Sequence, residues 1–193
     1  MNTLICVIGP SGCGKSTRVS HYIKNNKDAN LLISDTTRPI RPNEKDKVDY
    51  NFLSLTEFNN RKHIESIAYN DHLYGLSQEE VDQKRASADI TFFVCDIEGY
   101  HVLKNIYNNV NIYSIYIKMP SSICIQNLRN RDVDENKIKD RIFYDCMIDA
   151  YTLDSIVKFD SVIRFQKSWN FMDRQFENIV KNFKEYTKCF TKN

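Results

Sequence analysis

The segment Gly9-Pro10-Ser11-Gly12-Cys13-Gly14-Lys15-Ser16 constrains this chain more than any other. It fits the pattern G-x-x-x-x-G-K-[ST], follows the apolar run Thr3–Ile8 and opens the helical pattern Lys15–Asn26. The pattern works only in that context. A strand must end in a tight glycine turn so that backbone N–H groups wrap a phosphate and the next helix points its N-terminus at it. Lys15 then supplies a point charge to the outer phosphates, and Ser16 a hydroxyl for Mg²⁺. Gly9 to Ser16, with Thr17 behind them, form a candidate nucleoside triphosphate site. Cys13, near a helix N-terminus, is either a redox-sensitive thiol or a small residue that merely fits.

A strand–loop–helix start implies an α/β fold, and the rest of the chain agrees. Apolar runs at Thr3–Ile8, Asn30–Ser34, Ile90–Cys95, Asn111–Ile117 and Ser161–Phe165 predict a mostly parallel five-stranded sheet. Helical patterns at Gln78–Ser87, Glu98–Tyr107 and Ser121–Asn130 flank it. The alternation breaks after Asp35, where short strand-like pieces at Tyr50–Leu53 and Ile64–Tyr69 surround a brief helix near Thr56–Asn60. The predicted organisation is one domain of residues 1–193. Its core comprises 1–33, 88–128 and 151–193, with a small inserted subdomain at 34–87 and a charged lid at 129–150. Met172, Phe176, Ile179, Phe183, Tyr186 and Phe190 predict one apolar helix face, which either covers the sheet or forms an oligomer interface.

Composition narrows the function classes. Twenty-seven basic against 25 acidic residues leave a net charge of +2, so no nucleic-acid-coating surface is expected. Six cysteines without a C-x-x-C pair and four dispersed histidines lack zinc spacing. No apolar run approaches the roughly 18 residues that span a bilayer. The expectation is a reduced, cytoplasmic protein, a monomer or homodimer, with neither nucleic acid nor membrane as partner.

A second phosphate site follows in Ser34-Asp35-Thr36-Thr37-Arg38-Pro39-Ile40-Arg41-Pro42-Asn43-Glu44 and Asp49-Tyr50-Asn51-Phe52. Arg38 and Arg41 stand three apart on a proline-stiffened loop, where two guanidinium forks can clamp one phosphate. A phosphate loop plus a separate arginine clamp implies a donor and an acceptor. These motifs, with Glu65 nine residues before Tyr74-Gly75, resemble the guanylate kinase family from about Thr3 to Arg141.

The resemblance implies ATP as phosphoryl donor, GMP or dGMP as acceptor, and Mg²⁺. It places Arg38, Arg41, Tyr50 and Tyr74 on the acceptor phosphate, with Glu44 and Gly75 beside them, and Ser34 and Glu65 on guanine. Guanine chemistry agrees, because one carboxylate can accept from the adjacent N1–H and N2–H groups, a donor pair that adenine lacks. Asp96 would sit near Mg²⁺ and the acceptor, or serve only as a helix N-cap. Arg131 and Arg141 match lid arginines, so Lys15, Arg38, Arg41, Arg131 and Arg141 are the candidate catalytic set. Departures from the family pattern are Leu76 after the Tyr-Gly pair, Val94 two before Asp96, and Asn127 at the first lid arginine. Phe165 and Gln166 replace an Asn-Asp pair, and the stretch from Phe58 to Glu65 is short. These leave open another nucleotide or a ribose phosphate as acceptor, and a non-catalytic binding module.

Overall fold

The computed structural model describes residues 2–42, 44–69, 71–130, 134–136, 138–140, 142, 158–166 and 168–190. The core sheet contains β1 (Thr3–Ile8), β2 (Ala29–Leu31), β7 (Ile90–Val94), β8 (Ile112–Lys118) and β9 (Ser161–Arg164). Its order is β2-β7-β1-β8-β9, and every pairing is parallel. β1 is central and wholly buried, which explains why its sequence is a continuous apolar run instead of an alternating one. Its side chains divide by parity. Ile5 and Val7 join a cluster with Val19, Tyr22, Phe92, Met172 and Phe176. Leu4, Cys6 and Ile8 join another with Leu76, Val81, Phe93, Tyr100 and Leu103.

Among the described residues, the helices α1 (Lys15–Asn25), α3 (Gln78–Ser87), α4 (Ile97–Ile106) and α5 (Ser121–Arg129) lie between the core strands. The predicted second strand is shorter than expected. After Leu32 donates to Phe92 O, the chain turns away, and Ser34 O accepts from Asn51 N in the inserted subdomain.

That subdomain is a second sheet, in the order β4-β3-β6-β5. It comprises β3 (Asp35–Thr36), β4 (Asn51–Phe52), β5 (His63–Tyr69) and β6 (His72–Ser77), with α2 (Leu55–Asn59) beside them. The sequence reading missed β3 and β6. β3 is only two residues long, and β6 contains Gly75 and pairs back through a tight hairpin, Tyr69 facing His72 with Asp71 at φ 61. Ser77 ends β6 and caps α3 by accepting from Glu80 N. The Glu80 carboxylate in turn accepts from Ile33 N at 2.9 Å, tying the subdomain's return to its departure point.

The last helix, α6 (Trp169–Phe190), covers one face of the core sheet. Among its described side chains Met172, Phe176, Val180, Phe183 and Thr187 are buried, at steps of four, four, three and four. Tyr186, expected on that face, is 62 % exposed, because the 3.6-residue period has rotated Thr187 into its place. Thr3 Oγ1 donates to Thr187 Oγ1 at 3.0 Å, and Thr187 donates to Phe183 O, so this buried position is polar but satisfied. The side chain of Phe190 lies outside the described residues. Among those described, no helix is long and apolar enough to cross a membrane.

Leu76 has no exposed surface and sits inside the second apolar cluster. Replacing it with serine removes that packing and buries a hydroxyl among apolar groups. Leu76→Ser is expected to cost about 2–4 kcal/mol of stability, read as a lower urea midpoint at unchanged slope. An unshifted midpoint would show that the site collapses around the change.

Candidate active site

The phosphate loop leaves the carboxyl end of β1, where neighbouring β7 and β8 also end, the edge at which parallel sheets bind ligands. Gly12 has φ +81, and a Cβ on it would stand 2.5 Å from Cys124 O, so no larger residue fits without moving α5. Gly14 is the N-cap of α1. Lys15 Nζ crosses the loop to Gly9 O at 2.6 Å and Pro10 O at 3.1 Å. Ser16 and Thr17 are exposed on the first turn of α1, while Pro10 and Ser11 are half-buried. Cys13 has no exposed surface and packs into the first apolar cluster. That placement favours the small fitting residue over the reactive thiol.

Residues expected at the acceptor gather on and beside one face of the second sheet. Glu65 faces Leu76 and Ile67 faces Tyr74, so Glu65, Tyr74 and Leu76 share a face by register, and Thr36 joins them opposite Tyr74. Arg38, 8 % exposed, gives both ends of its fork to Glu44 at 2.8 and 2.9 Å. Its guanidinium lies 5.4 Å from the ring centres of both Tyr50 and Phe52. Tyr50 and Tyr74 meet edge to face at 6.0 Å. Burial works against the Arg38 charge, but the hydrogen bonds and charge of Glu44, joined by Tyr74, together outweigh it and raise its pKa. Glu44 is held below its ordinary value: burial opposes this, and Arg38 and the Arg41 N–H prevail. Arg41 is far more exposed, with Nη1 3.7 Å from Glu44 Oε1. Ser34 precedes β3 and is half-buried.

The opposite face braces this one. Asp35, wholly buried, accepts from Asn51 Nδ2 at 2.7 Å and Arg61 Nη1 at 2.8 Å, and pairs with His63 Nε2 at 2.9 Å. Gly75 pairs with Asp35 and Ser66, and a Cβ on it would meet His63 Cδ2 at 2.7 Å and Glu65 O at 2.9 Å.

Glu65 and Asp96 come together although 31 positions separate them. Asp96 caps α4, its Oδ1 accepting from Gly99 N at 2.8 Å. Glu65 reaches over the same turn, its Oε2 only 3.0 Å from where a Gly99 Cβ would stand. Burial, then the charges of Asp96 and Glu98, pushes the Glu65 carboxyl up to about 7. Asp96 is therefore an N-cap, and its other oxygen makes no cap bond. The donor set suits Mg²⁺: an exposed Ser16 hydroxyl and one carboxylate at the sheet edge match an ion that prefers substrate phosphates and water to a protein cage.

Arg131 and Arg141 lie outside the described residues. Arg129 forms a fork with Glu135 at 2.6 and 3.0 Å. Asn127 is no lid residue: its Nδ2 donates to Gly12 O at 2.8 Å and supports the phosphate loop. Phe165 and Gln166 line an open, mostly apolar cleft of about 730 Å³ with Ser168 and Phe171.

The guanylate kinase family model matches residues 1–187. The chain belongs to the guanylate kinase family. Relatives of the same name include that of Helicobacter hepaticus, 34% identical over 110 residues, covering 55% of this chain and 55% of that protein. Another, from Bacteroides fragilis, is 32% identical over 166 residues, covering 83% of this chain and 79% of its own. The match thus spans about half the length of the first relative. The crystal structure of guanylate kinase from Anaplasma phagocytophilum superposes with a TM-score of 0.65 at 20% identity, covering 94% of this chain and 85% of that one. That likeness carries the fold.

Three features of this guanylate kinase family member escaped sequence reasoning. Gly99, one of only five glycines, could have been noticed as a place where something approaches the backbone closely. Asp35, inside the motif, had no signal separating a buried hub from a loop carboxylate. Arg18 reads as an ordinary helix arginine, yet is 2 % exposed.

Proposed function

We propose that this chain transfers the γ-phosphoryl group of ATP to GMP or dGMP, giving ADP and GDP or dGDP. The observation that carries this reading is Glu65 over Gly99, beside Asp96 and on the same sheet face as Tyr74. It offers one carboxylate to a flat base with two adjacent donors. Ser34 would donate to the guanine O6. Arg41, more exposed than Arg38, swings onto the acceptor phosphate, while Arg38, set by Glu44, Tyr50 and Tyr74, presents a fixed charge.

An acceptor phosphate oxygen attacks the γ-phosphorus in line. The bond to the β–γ bridging oxygen breaks, and ADP leaves. No protein nucleophile is needed, so the residues position groups and neutralise charge. Lys15 exchanges its carbonyl partners for donor phosphate oxygens, and Arg131 and Arg141 close on the triphosphate. Ser16 and Asp96, the latter directly or through water, would hold Mg²⁺, which would supply further charge neutralisation on the phosphates. Closure of residues 34–87 and 129–150 would exclude water and so suppress ATP hydrolysis. The same reading makes the chain a cytoplasmic monomer or homodimer whose partners are nucleotides, and the near balance of charge argues against a nucleic-acid-coating surface.

The deciding experiment measures ADP release from Mg-ATP with GMP, dGMP, AMP, CMP, UMP, dTMP and a ribose phosphate. GMP or dGMP is expected to exceed the others by more than tenfold. Preference for another acceptor would overturn the base assignment, and ATP binding without turnover on any acceptor would point to a binding module.

A further inference from the structure

Arg18 lies in the first turn of α1 and is 2 % exposed. Its Nη1 donates to Cys13 O at 3.2 Å and to Gly14 O at 3.1 Å. Nη2 reaches Met172 Sδ at 3.4 Å, Nε faces Asp173 Oδ1 at 3.4 Å, and the guanidinium lies 4.7 Å from the centre of the Trp169 ring. One side chain thus grips two consecutive carbonyls of the phosphate loop and three residues of α6. Gly14 makes this possible. Its φ is +85, and a Cβ on it would stand 2.5 Å from Arg18 Nη1 and 3.4 Å from Trp169 Cζ3.

Peptide geometry gives the grip its meaning. In a trans peptide the C=O and N–H point in opposite directions. The Cys13 carbonyl shares its plane with the Gly14 N–H, and the Gly14 carbonyl shares its plane with the Lys15 N–H. Holding both oxygens on one guanidinium behind the loop turns both N–H groups to the other side, where such a loop receives phosphate. The cation at the oxygen ends of these peptide dipoles also raises the positive potential at their N–H ends. Burial lowers the Arg18 pKa, and Asp173 only partly offsets this, yet a guanidinium keeps its charge. An apolar side chain would fill this place at lower cost, so a buried charge here calls for a role beyond packing.

We propose that Arg18 is a positioning residue for the donor nucleotide, aiming the N–H groups of Gly14 and Lys15 at its phosphates and anchoring them to α6. The proposal rests on the donor half of the reading above and is independent of which acceptor is used.

Trp169 is the only tryptophan in the chain and stacks on this guanidinium, so its emission reports on the grip. Mg-ATP and tripolyphosphate are titrated into the full chain, into Arg18→Met and into Arg18→Lys. Arg18→Met is expected to weaken both ligands about 10- to 100-fold, the range for one charge-assisted hydrogen bond, since the two lost bonds act on the phosphates only through the peptides they orient. Arg18→Lys, which keeps the charge but not the fork, should recover part of the loss, and the GMP KM should stay within twofold. A residue that only stabilised the fold would lower the melting temperature without singling out the polyphosphate. Unchanged tripolyphosphate affinity in folded Arg18→Met, or wild-type affinity in Arg18→Lys, would overturn the proposal. Should Arg18→Met fail to fold, amide resonances in the ¹⁵N-labelled wild type decide. Those of Gly14 and Lys15 should move downfield with tripolyphosphate, and immobility would overturn the idea. Absent GMP turnover alongside Arg18-dependent ATP binding would sink only the acceptor assignment.

Discussion

Lys15→Ala should lower kcat/KM for ATP by about 10³-fold or more, with little change in melting temperature. Removing one donor aimed at developing charge typically costs 10²- to 10³-fold, and Lys15 carries a full charge. The contacts of Lys15 explain why the fold should survive. Among the described residues, its Nζ donates to Gly9 O and Pro10 O alone, at the rim of the loop, and it belongs to neither apolar cluster. Both carbonyls can turn to water when the amine is gone. Steady-state kinetics beside a thermal melt checks this, and a residual rate within tenfold of wild type would remove Lys15 from the reaction.

The second large effect is at Glu65. Losing charge-assisted hydrogen bonds worth about 1.5–3 kcal/mol should raise the GMP KM about 10- to 140-fold in Glu65→Ala, with the ATP KM nearly unchanged. The same residue sets a pH dependence. Guanine donors bind the ionised carboxylate, so with a free-protein value of about 7 the GMP KM should fall as pH rises from 6 to 8. Stability runs the other way. The folded value lies above the ordinary 4.5, so the proton bound to Glu65 contributes stability that is present below about 4.5 and lost as pH rises through about 7. Glu65→Gln should flatten both trends. A GMP KM profile in that variant still shaped like the wild type's would assign the titration to another group.

Much of this site was readable as local pattern. The phosphate loop declares itself because its mechanism needs glycine, lysine and a hydroxyl at fixed offsets in one continuous turn. Arg38, Arg41 and Tyr50 follow within thirteen residues on one short loop and strand. What could not be read is whatever depends on a face or a depth. Tyr186 and Thr187 differ by one position, and only the accumulated helical rotation decides which is buried. Leu76, in sequence only a departure after the Tyr-Gly pair, belongs to the core cluster that packs β6 with α3 and α4.

The sequence by itself determined the α/β order of elements, the phosphate-loop motif and the set of side chains proposed for the acceptor, since these rest on local spacing and on side-chain type. Tertiary structure alone decided that Glu65 meets Asp96 over Gly99, that Asn127 and Arg18 hold the loop from behind, and that Asp35 is a buried hub. Each of those contacts joins segments far apart in the chain or turns on burial. Coulomb fields, desolvation and steric fit act through space, and a linear pattern carries no record of such distances.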